Sequence, residues 1–419
     1  MIDLRRLRDE DDYRRGVVRK GATAEAIAAV LEADASARDV RAETENLRAQ
    51  SNAASKEIGQ ASPDERQAKI DAAQGLKADL QAAEVHLTSA EATIDELALQ
   101  LPNPAHPSVP DGGEDDYRVE IVVGEQTPAP PLDHAEIGEK LGLVDAERAV
   151  RMSGSRFAYL MGDAVLLQFG LVQWVMNKLV KKGFCPVIPP VLVREDMMVD
   201  AGFFPTDRNQ VYELEKDELF LVGTAEVGLA GIHRGERLDA DELPRRYVGY
   251  STCFRREAGT YGKDTQGLFR VHQFDKVEMF VYSDPSRSWD ELELLRSVEE
   301  EIFAELEMPY RVITVGAGDL GGAAAKKYDV EVWLPSEQRY REVTSCSNYT
   351  DYSARRMGTR MKGESGNQVL HTLNGTGCAV GRTLLAIFEN HQQADGSISV
   401  PAALRPFCGL DALGPEGRR

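Results

Sequence analysis

Tyr250 to Tyr282 reads YSTCFRREAGTYGKDTQGLFRVHQFDKVEMFVY. Two β-branched and aromatic segments flank a long polar loop, the pattern of two paired strands. The first segment ends in Phe254-Arg255-Arg256-Glu257, and the second carries Arg270, His272, Phe274 and Glu278. Side chains alternate along a strand, so Arg255 and Glu257 fall on one face and Arg256 on the other. Guanidinium, carboxylate and aromatic ring on one face suit a nucleotide: the cation meets phosphate, the ring stacks on the base, the acid accepts from an amine. The same composition also fits an ordinary hairpin whose charges sit in a solvated loop.

Outward from this stretch, 419 residues are long for a single core, and two domains are the natural expectation. A 42% hydrophobic and 28% charged composition is that of a globular protein. No apolar run is long enough to cross a bilayer and the start, MIDLRRLRDEDD, lacks an apolar signal core, so neither a membrane partner nor a secretory route is expected. Five cysteines (Cys185, Cys253, Cys346, Cys378, Cys408) lie far apart without a CxxC pair, which fits a reducing cytoplasm and neither a disulfide framework nor a zinc cage. A net charge of −20 argues against a globally basic nucleic-acid binder. Any RNA would be held by a local patch and by shape.

Residues 25–101 are rich in Ala, Glu, Gln, Arg and Lys and poor in aromatics. Leu80, Leu87, Ile94 and Leu101, interleaved with Ala83, Ala90 and Leu97, form an a/d seam. Val40, Leu47, Ala54 and Ile58 make a weaker seam before Gly59 and Ser62-Pro63, which read as a helix stop and a new start. Two helices turning there predict an antiparallel hairpin roughly 50 Å long, for which a dimerising coiled coil is the plain alternative. Pro102, Pro104, Pro107, Pro110 and Gly112-Gly113 mark a linker over 102–115. The arm is therefore 1–101 and the second domain 116–419.

Beyond the linker, YRVEIVVG alternates like a strand. Asp163 opens a helix with Val165, Leu166, Phe169, Val172, Met176 and Leu179 on its apolar face, stopping at Gly183. Ser288 and Glu291 have capping-box spacing ahead of Leu294, Leu295, Val298, Ile302 and Leu306. Thr224-Ala225-Glu226 offers a hydroxyl and a carboxylate that suit an ammonium group, or equally a helix cap with an acid in the first turn. DVEVWLPSEQRYREVTSCSN is a strand, a turn at 335–338 and a second strand; LNGTGCAVGRTLLAIFENHQ is a glycine-rich turn before an apolar helix. Among the histidines, His86, His106, His134, His233, His371 and His391 have no metal-ligand spacing, and His272 reads as a positioning residue.

FRRE with Arg270 and Phe274 resembles motif 2 of the class II aminoacyl-tRNA synthetases, and RVHQFDKVE is the wording of the seryl-tRNA synthetases. KKGFCPVIPPVLV resembles motif 1, with Pro190 as its fixed proline in a dimer-forming element, and LNGTGCAVGR resembles motif 3. The resemblance runs from the helical arm to LRPF near the end, with the motifs in family order. It implies an α+β fold: an N-terminal antiparallel helical hairpin, then a catalytic domain with a mainly antiparallel sheet flanked by helices, as a cytoplasmic homodimer. It implies ligation of L-serine to tRNA(Ser), and to tRNA(Sec), through a seryl adenylate made from ATP with Mg2+ and no zinc, and no DNA partner. Serine would meet Thr224, Ala225, Glu226, Arg255, Glu278, Asn374 and Thr376. ATP would meet Arg255, Arg256, Glu257, Val271, Phe274, Glu342, Val343, Thr344, Ser345 and Arg382, with Mg2+ on Glu342 and Ser345. In that scheme Arg255 bridges the serine carboxylate and the α-phosphate, Glu257 reads the adenine amine, and Glu278 with Thr376 reads the serine hydroxyl.

The resemblance assigns the arm to the long variable arm of the tRNA. Acids outnumber bases there, so contacts would come from a few side chains, Arg38, Arg41, Arg48, Lys56, Arg66 and Lys69 among them, and shape would dominate. Three stretches depart from the family's usual wording: Gln266 in KDTQG where arginine is usual and the tRNA end is expected, Gly228 where proline is common, and SNYTDYSARR at Tyr349 and Ser353. These departures leave open a specialised paralogue, serving a secondary biosynthetic pathway or resistance to a serine-mimicking antibiotic. A non-catalytic tRNA-binding relic is the third reading, opposed by the intact set Arg255, Glu257, Glu278, Glu342 and Arg382.

Overall fold

The computed structural model describes residues 1–258, 269–363 and 366–414. Gln266 lies outside them. The chain divides into two compact units, Met1–Pro104 and Ala105–Arg419.

In the first unit, α1 (Leu4–Asp9) and α2 (Asp11–Val18) precede two long helices, α3 (Ala24–Gln60) and α4 (Pro63–Leu99). The Thr23 hydroxyl caps α3 by accepting from the Ala26 N–H at 3.1 Å, and Pro63 opens α4 where a missing N–H costs nothing. Each long helix has 37 residues, about 55 Å at the α-helical rise. Their direction is antiparallel, because Arg41 pairs with Glu91 and Arg48 with Glu84, each at 2.7 Å, while Lys69 pairs with Glu57 at 3.2 Å near the tip. The second-helix seam is the expected one, with Ala83 and Ile94 buried. On α3 the buried residues at seven-residue spacing are Val30, Ala37 and Thr44, the last two a small and a polar residue that apolar counting passes over. Thr44 stays satisfied by donating to the Val40 carbonyl at 2.8 Å.

In the second unit, eight strands among the described residues form one sheet: β1 (Arg118–Val123), β2 (Cys185–Val187), β3 (Arg245–Phe254), β4 (Gln273–Ser283), β5 (Tyr310–Thr314), β6 (Lys326–Leu334), β7 (Arg339–Thr350) and β8 (His371–Ala379). Their spatial order is β1-β5-β6-β7-β8-β4-β3-β2, antiparallel throughout except where β2 lies beside β3. Helices α5 (Asp163–Lys181), α7 (Ser288–Glu305) and α8 (Val380–Asn390) contribute to a core with Val277, Met279 and Val281 of β4. The opposite parity of β4 carries Phe274, Lys276 and Glu278, then Phe280 and Tyr282 in a second core with Val227 and Leu229 of α6 (Glu226–Ala230). Residues 105–115, expected as linker, do not hang free: Ala105 and Val109 are buried with Val315, Ala317, Leu320, Ala324 and Tyr349.

Three local expectations are corrected. The face of α5 in the core is Ala164, Leu167, Leu171, Trp174, Val175 and Leu179; of the expected stripe Phe169 is 61% exposed, so this helix is apolar on two sides. Ser288 and Glu291 form no capping box. Ser288 is buried and bonds to His371 Nδ1 at 2.7 Å, while Glu291 is taken by a bidentate pair with Arg246 at 2.6 and 2.7 Å. The glycine-rich stretch is not a turn but strand β8, running directly into α8. A Cβ on Gly375 would come within 3.0 Å of Met279 and 3.2 Å of Glu299, and one on Gly377 within 3.0 Å of Leu179. These glycines make room for packing of the sheet, not for a nucleotide.

Gly170 on α5 is under the same constraint more severely, since its Cβ would sit 2.8 Å from the Cys408 Cβ and 2.9 Å from the Cys408 backbone nitrogen. Gly170→Ala gains about 1 kcal/mol in helix propensity. Overpacking against a backbone costs about 1–3 kcal/mol, and it wins. The expected result is a Tm lower by about 2–4 °C in calorimetry.

Candidate active site

The end of β3 and the start of β4 build one wall of an open cavity of about 640 Å³, and β7, β8 and the first turn of α8 build the other. Its lining includes Arg255, Glu257, Phe269, Arg270, Val271, Phe274, Lys276, Glu342, Val343, Thr344, Ser345, Thr376 and Arg382. Nine of the ten expected nucleotide residues therefore meet in one place. Arg256 is the tenth: it points the other way, donating through Nε to the Val211 carbonyl at 2.8 Å and stacking 4.8 Å from Tyr212. The expected division of faces holds although β3 ends at Phe254 and Glu257 turns to φ +51°.

Arg255 is fixed from three sides. Its Nε donates to the Gly223 carbonyl at 3.2 Å, its guanidinium lies 5.3 Å from the Phe274 ring, and its backbone is bracketed by His272, whose Nδ1 is 2.9 Å from the Arg255 carbonyl. Arg270 donates to Glu257 at 2.6 Å. Across the cavity Arg382 donates to the Glu342 carbonyl at 3.0 Å and lies 3.5 Å from its carboxylate. The Glu342 side chain is 45% exposed. Burial works to raise its carboxyl, but the charges of Arg382, Lys327 and Arg255 prevail and hold it below the usual range. Behind the wall Glu299 of α7 accepts from Thr344 at 2.9 Å, and burial pushes its carboxyl well above the usual range.

Lys276 and Thr376 face both this cavity and a buried polar pocket beside it. Thr224, Glu226 and Glu278 are all less than 5% exposed. The Thr224 hydroxyl donates to Glu278 Oε2 at 3.0 Å and also accepts from the Glu226 N–H at 3.2 Å, so it bonds both locally, just ahead of α6, and across the pocket; the N-cap itself is Ala225, without a side-chain cap. Lys276 Nζ lies 2.5 Å from Glu278 Oε2. Asn374 Nδ2 donates to Glu226 at 3.0 Å and lies 3.4 Å from Glu278, while its Oδ1 has no donor among the described residues. Thr376 stands opposite Glu278 in the β4–β8 register. Burial first, and the charge of Glu278 second, push the Glu226 carboxyl up to about 7 against the opposing pull of Lys276, Tyr349 and Asn374.

Sequence reasoning missed three residues here. Lys276 was legible, because Phe274, Lys276 and Glu278 recur at the strand period on the face already assigned. Phe269 gave no signal as a lone aromatic in a polar loop; its ring lies 3.8 Å from the guanidinium of Arg341 and 4.7 Å from that of Arg382. Tyr349 stood out only as an unusual residue, yet it is buried against Ala105, Val109 and Val315. Gly228 has a packing reason: a Cβ there would come 2.6 Å from Pro189. Nothing in the structure explains Ser353, whose buried hydroxyl has no partner among the described residues. Pro190 is exposed beside Ile188, which is 81% exposed. On the arm, Arg38, Arg41, Arg48 and Lys69 are engaged by carboxylates.

A family described as "tRNA synthetase class II core domain (G, H, P, S and T)" matches residues 210–391, and one described as "Seryl-tRNA synthetase N-terminal domain" matches residues 1–105. The serine–tRNA ligase of Nocardia farcinica is 51% identical, over 99% of this chain and 100% of that protein. Among solved structures, seryl-tRNA synthetase from Pyrococcus horikoshii complexed with ATP is similar with a TM-score of 0.92 at 36% identity, covering 99% of this chain and 100% of that one. Cytoplasmic serine–tRNA ligase from Naegleria fowleri in complex with AMP gives 0.89 at 31% identity, covering 99% and 98%.

The pocket's charge balance is testable by stability alone. Lys276→Met leaves Glu226 and Glu278 buried without their cation, a loss of about 3–5 kcal/mol. A buried carboxyl whose folded pKa lies above its unfolded value destabilises the fold once pH exceeds the unfolded value, and acid relieves it. The Tm deficit of Lys276→Met is therefore expected to be larger at pH 8 than at pH 5.

Proposed function

This chain belongs to the seryl-tRNA synthetase family and is a serine–tRNA ligase, and from that premise we propose that the buried pocket takes L-serine while the open cavity takes ATP. The observation that carries the assignment is their adjacency across Lys276 and Thr376. Glu226 receives the α-ammonium group; Glu278, with Thr376 and Asn374, reads the side-chain hydroxyl. The unmet Asn374 Oδ1 supports this, since a buried acceptor without a donor favours a ligand that brings one. A pocket built to bond a hydroxyl rejects alanine strongly, because its polar groups would be left unpaired.

Arg255, between the two sites, draws the serine carboxylate and the α-phosphate together. The repulsion of those anions is the main barrier to adenylation, and a rigid forked cation lowers it. The carboxylate is already ionised at neutral pH, so the first step needs no general base and rests on positioning. Glu257 takes the adenine amine, Phe274 the ring, and Arg382 the γ-phosphate. Glu342 and Ser345 fit Mg2+: both line the cavity, both offer hard oxygen, and the Glu342 carboxylate stays ionised. Held by Glu342 and Ser345, the ion would supply Lewis-acid neutralisation of phosphate charge. Serine then passes from the adenylate to the terminal adenosine of tRNA(Ser), and of tRNA(Sec).

The first unit is the arm that meets the tRNA. A homodimer in the cytoplasm completes the reading. Phe169 and Ile188, 61% and 81% exposed in the motif 1 region, support an apolar interface there. No helix among the described residues is long and apolar enough to cross a membrane. Likeness over the full chain favours this reading over a specialised paralogue or a non-catalytic relic.

Arg255→Ala is expected to lower serine-dependent ATP–pyrophosphate exchange about a thousandfold; retained exchange would remove Arg255 from its role. Deleting residues 30–97 is expected to leave exchange within a few-fold of the parent and to abolish charging of serine tRNA. Persistent charging would refute the arm's assignment.

A further inference from the structure

Glu342 and Ser345 stand three residues apart on β7, and along a regular strand an odd spacing sends side chains to opposite faces. Both nevertheless line the open cavity. A β-bulge reconciles the two. On β6, Glu331 pairs with Glu342 and Val330 with Thr344, which leaves Val343 between them as an extra residue. Val330 and Val343 lie in the helix-side core, as does Cys346, which pairs with Gly375 of β8. The bulge therefore turns Val343 and Thr344 toward the helices and returns Ser345 to the face of Glu342. Beneath it lies Glu299 of α7, 0% exposed, whose Oε2 accepts from the Thr344 hydroxyl at 2.9 Å. Its Oε1 rests against β8, 3.2 Å from where a Cβ on Gly375 would be. Around this acid α7 gives the core Leu292, Leu295, Val298, Ile302 and Phe303. Burying a carboxyl among them is unfavourable, so packing alone selects against it.

We propose that Glu299 is a positioning residue for the nucleotide site: it ties the bulge of β7 to α7 and so holds Glu342 and Ser345 on one face. The role rests on the reading that these two residues take Mg2+. That ion demands near-octahedral geometry at short, fixed oxygen distances. A strand that slipped back to regular pairing would carry one of its two protein ligands to the wrong side of the sheet. Of the two bulge side chains only Thr344 can hydrogen-bond, and Glu299 is its acceptor. Glu299 itself is fully buried and does not line the cavity, so any effect it has on the nucleotide passes through the strand.

Calorimetric titration of ATP into the full chain, with Mg2+ and then with EDTA, reads the gain in affinity that the ion supplies, apart from turnover. Glu299→Leu is expected to cut that gain about tenfold and to leave the Kd for metal-free ATP within about twofold of the parent. Glu299→Gln keeps an acceptor for Thr344, and its gain is expected within about twofold of the parent. Glu299→Leu combined with Thr344→Val removes donor and acceptor together, so its Tm is expected at or above that of Glu299→Leu while the gain falls by the same amount. That variant keeps the test open should Glu299→Leu fold poorly. Glu342→Gln, measured alongside, tests the metal assignment. The role of Glu299 is overturned by a gain that stays at the parent's value in Glu299→Leu and in the double variant, by an equal loss for metal-free ATP, or by a Glu299→Gln that loses as much as Glu299→Leu. A lowered gain in Glu342→Gln then keeps the metal assignment. A gain unchanged in Glu342→Gln overturns that assignment and the role of Glu299 with it.

Discussion

Two carboxylates buried side by side, with one lysine between them and the outside, set the terms for the rest of this molecule. In a medium of low polarity Glu226 and Glu278 repel, and Lys276 neutralises only one of them. The pocket therefore holds two carboxyl groups to one cation, a shortfall that the proposed ammonium group would make good. Such a site survives only on a platform that cannot relax around it. The central strands β7, β8, β4 and β3 provide that platform, each hydrogen-bonded on both sides and backed by three helices.

The architecture was legible where one residue's neighbours in sequence decide its place. The strand period put Arg255 and Glu257 together and turned Arg256 away, and the seven-residue repeat of α4 gave a hairpin of nearly the right length. It failed where partners come from afar. Ser288 and Glu291 have the spacing of a capping box, but His371 and Arg246 outbid the backbone for them. Phe169 fits a core stripe by period, while burial shows a second apolar side that a single-face reading merges with the first. Gly375 and Gly377 look like a turn before a helix, whereas the space they leave is filled by Met279, Glu299 and Leu179. Tyr349 is the sharpest case: one letter in a strand gives no hint that its ring is buried against Ala105 and Val109.

The acidity of the arm looks hostile to RNA, but much of its basic charge is already paired with acid on its own surface. Arg41 and Arg48 hold Glu91 and Glu84 with side chains about half exposed. Exposed pairs of this kind contribute about 0–1 kcal/mol, so a phosphate exchanging for the carboxylate loses little. The pairs hold these side chains across from one helix to the other and limit non-specific attraction to other polyanions.

The segment after Pro104 looks like a hinge by composition, yet Ala105 and Val109 form part of the wall that holds the Tyr349 ring. This matters for how such a chain is assembled from parts. A join made at residue 116 would carry the sheet, the motifs and every assigned ligand, and would still leave that ring with one side open to water. The seam at which one arm can be exchanged for another therefore lies ahead of Ala105, and the proline-rich strap is inherited with the chemistry it shields.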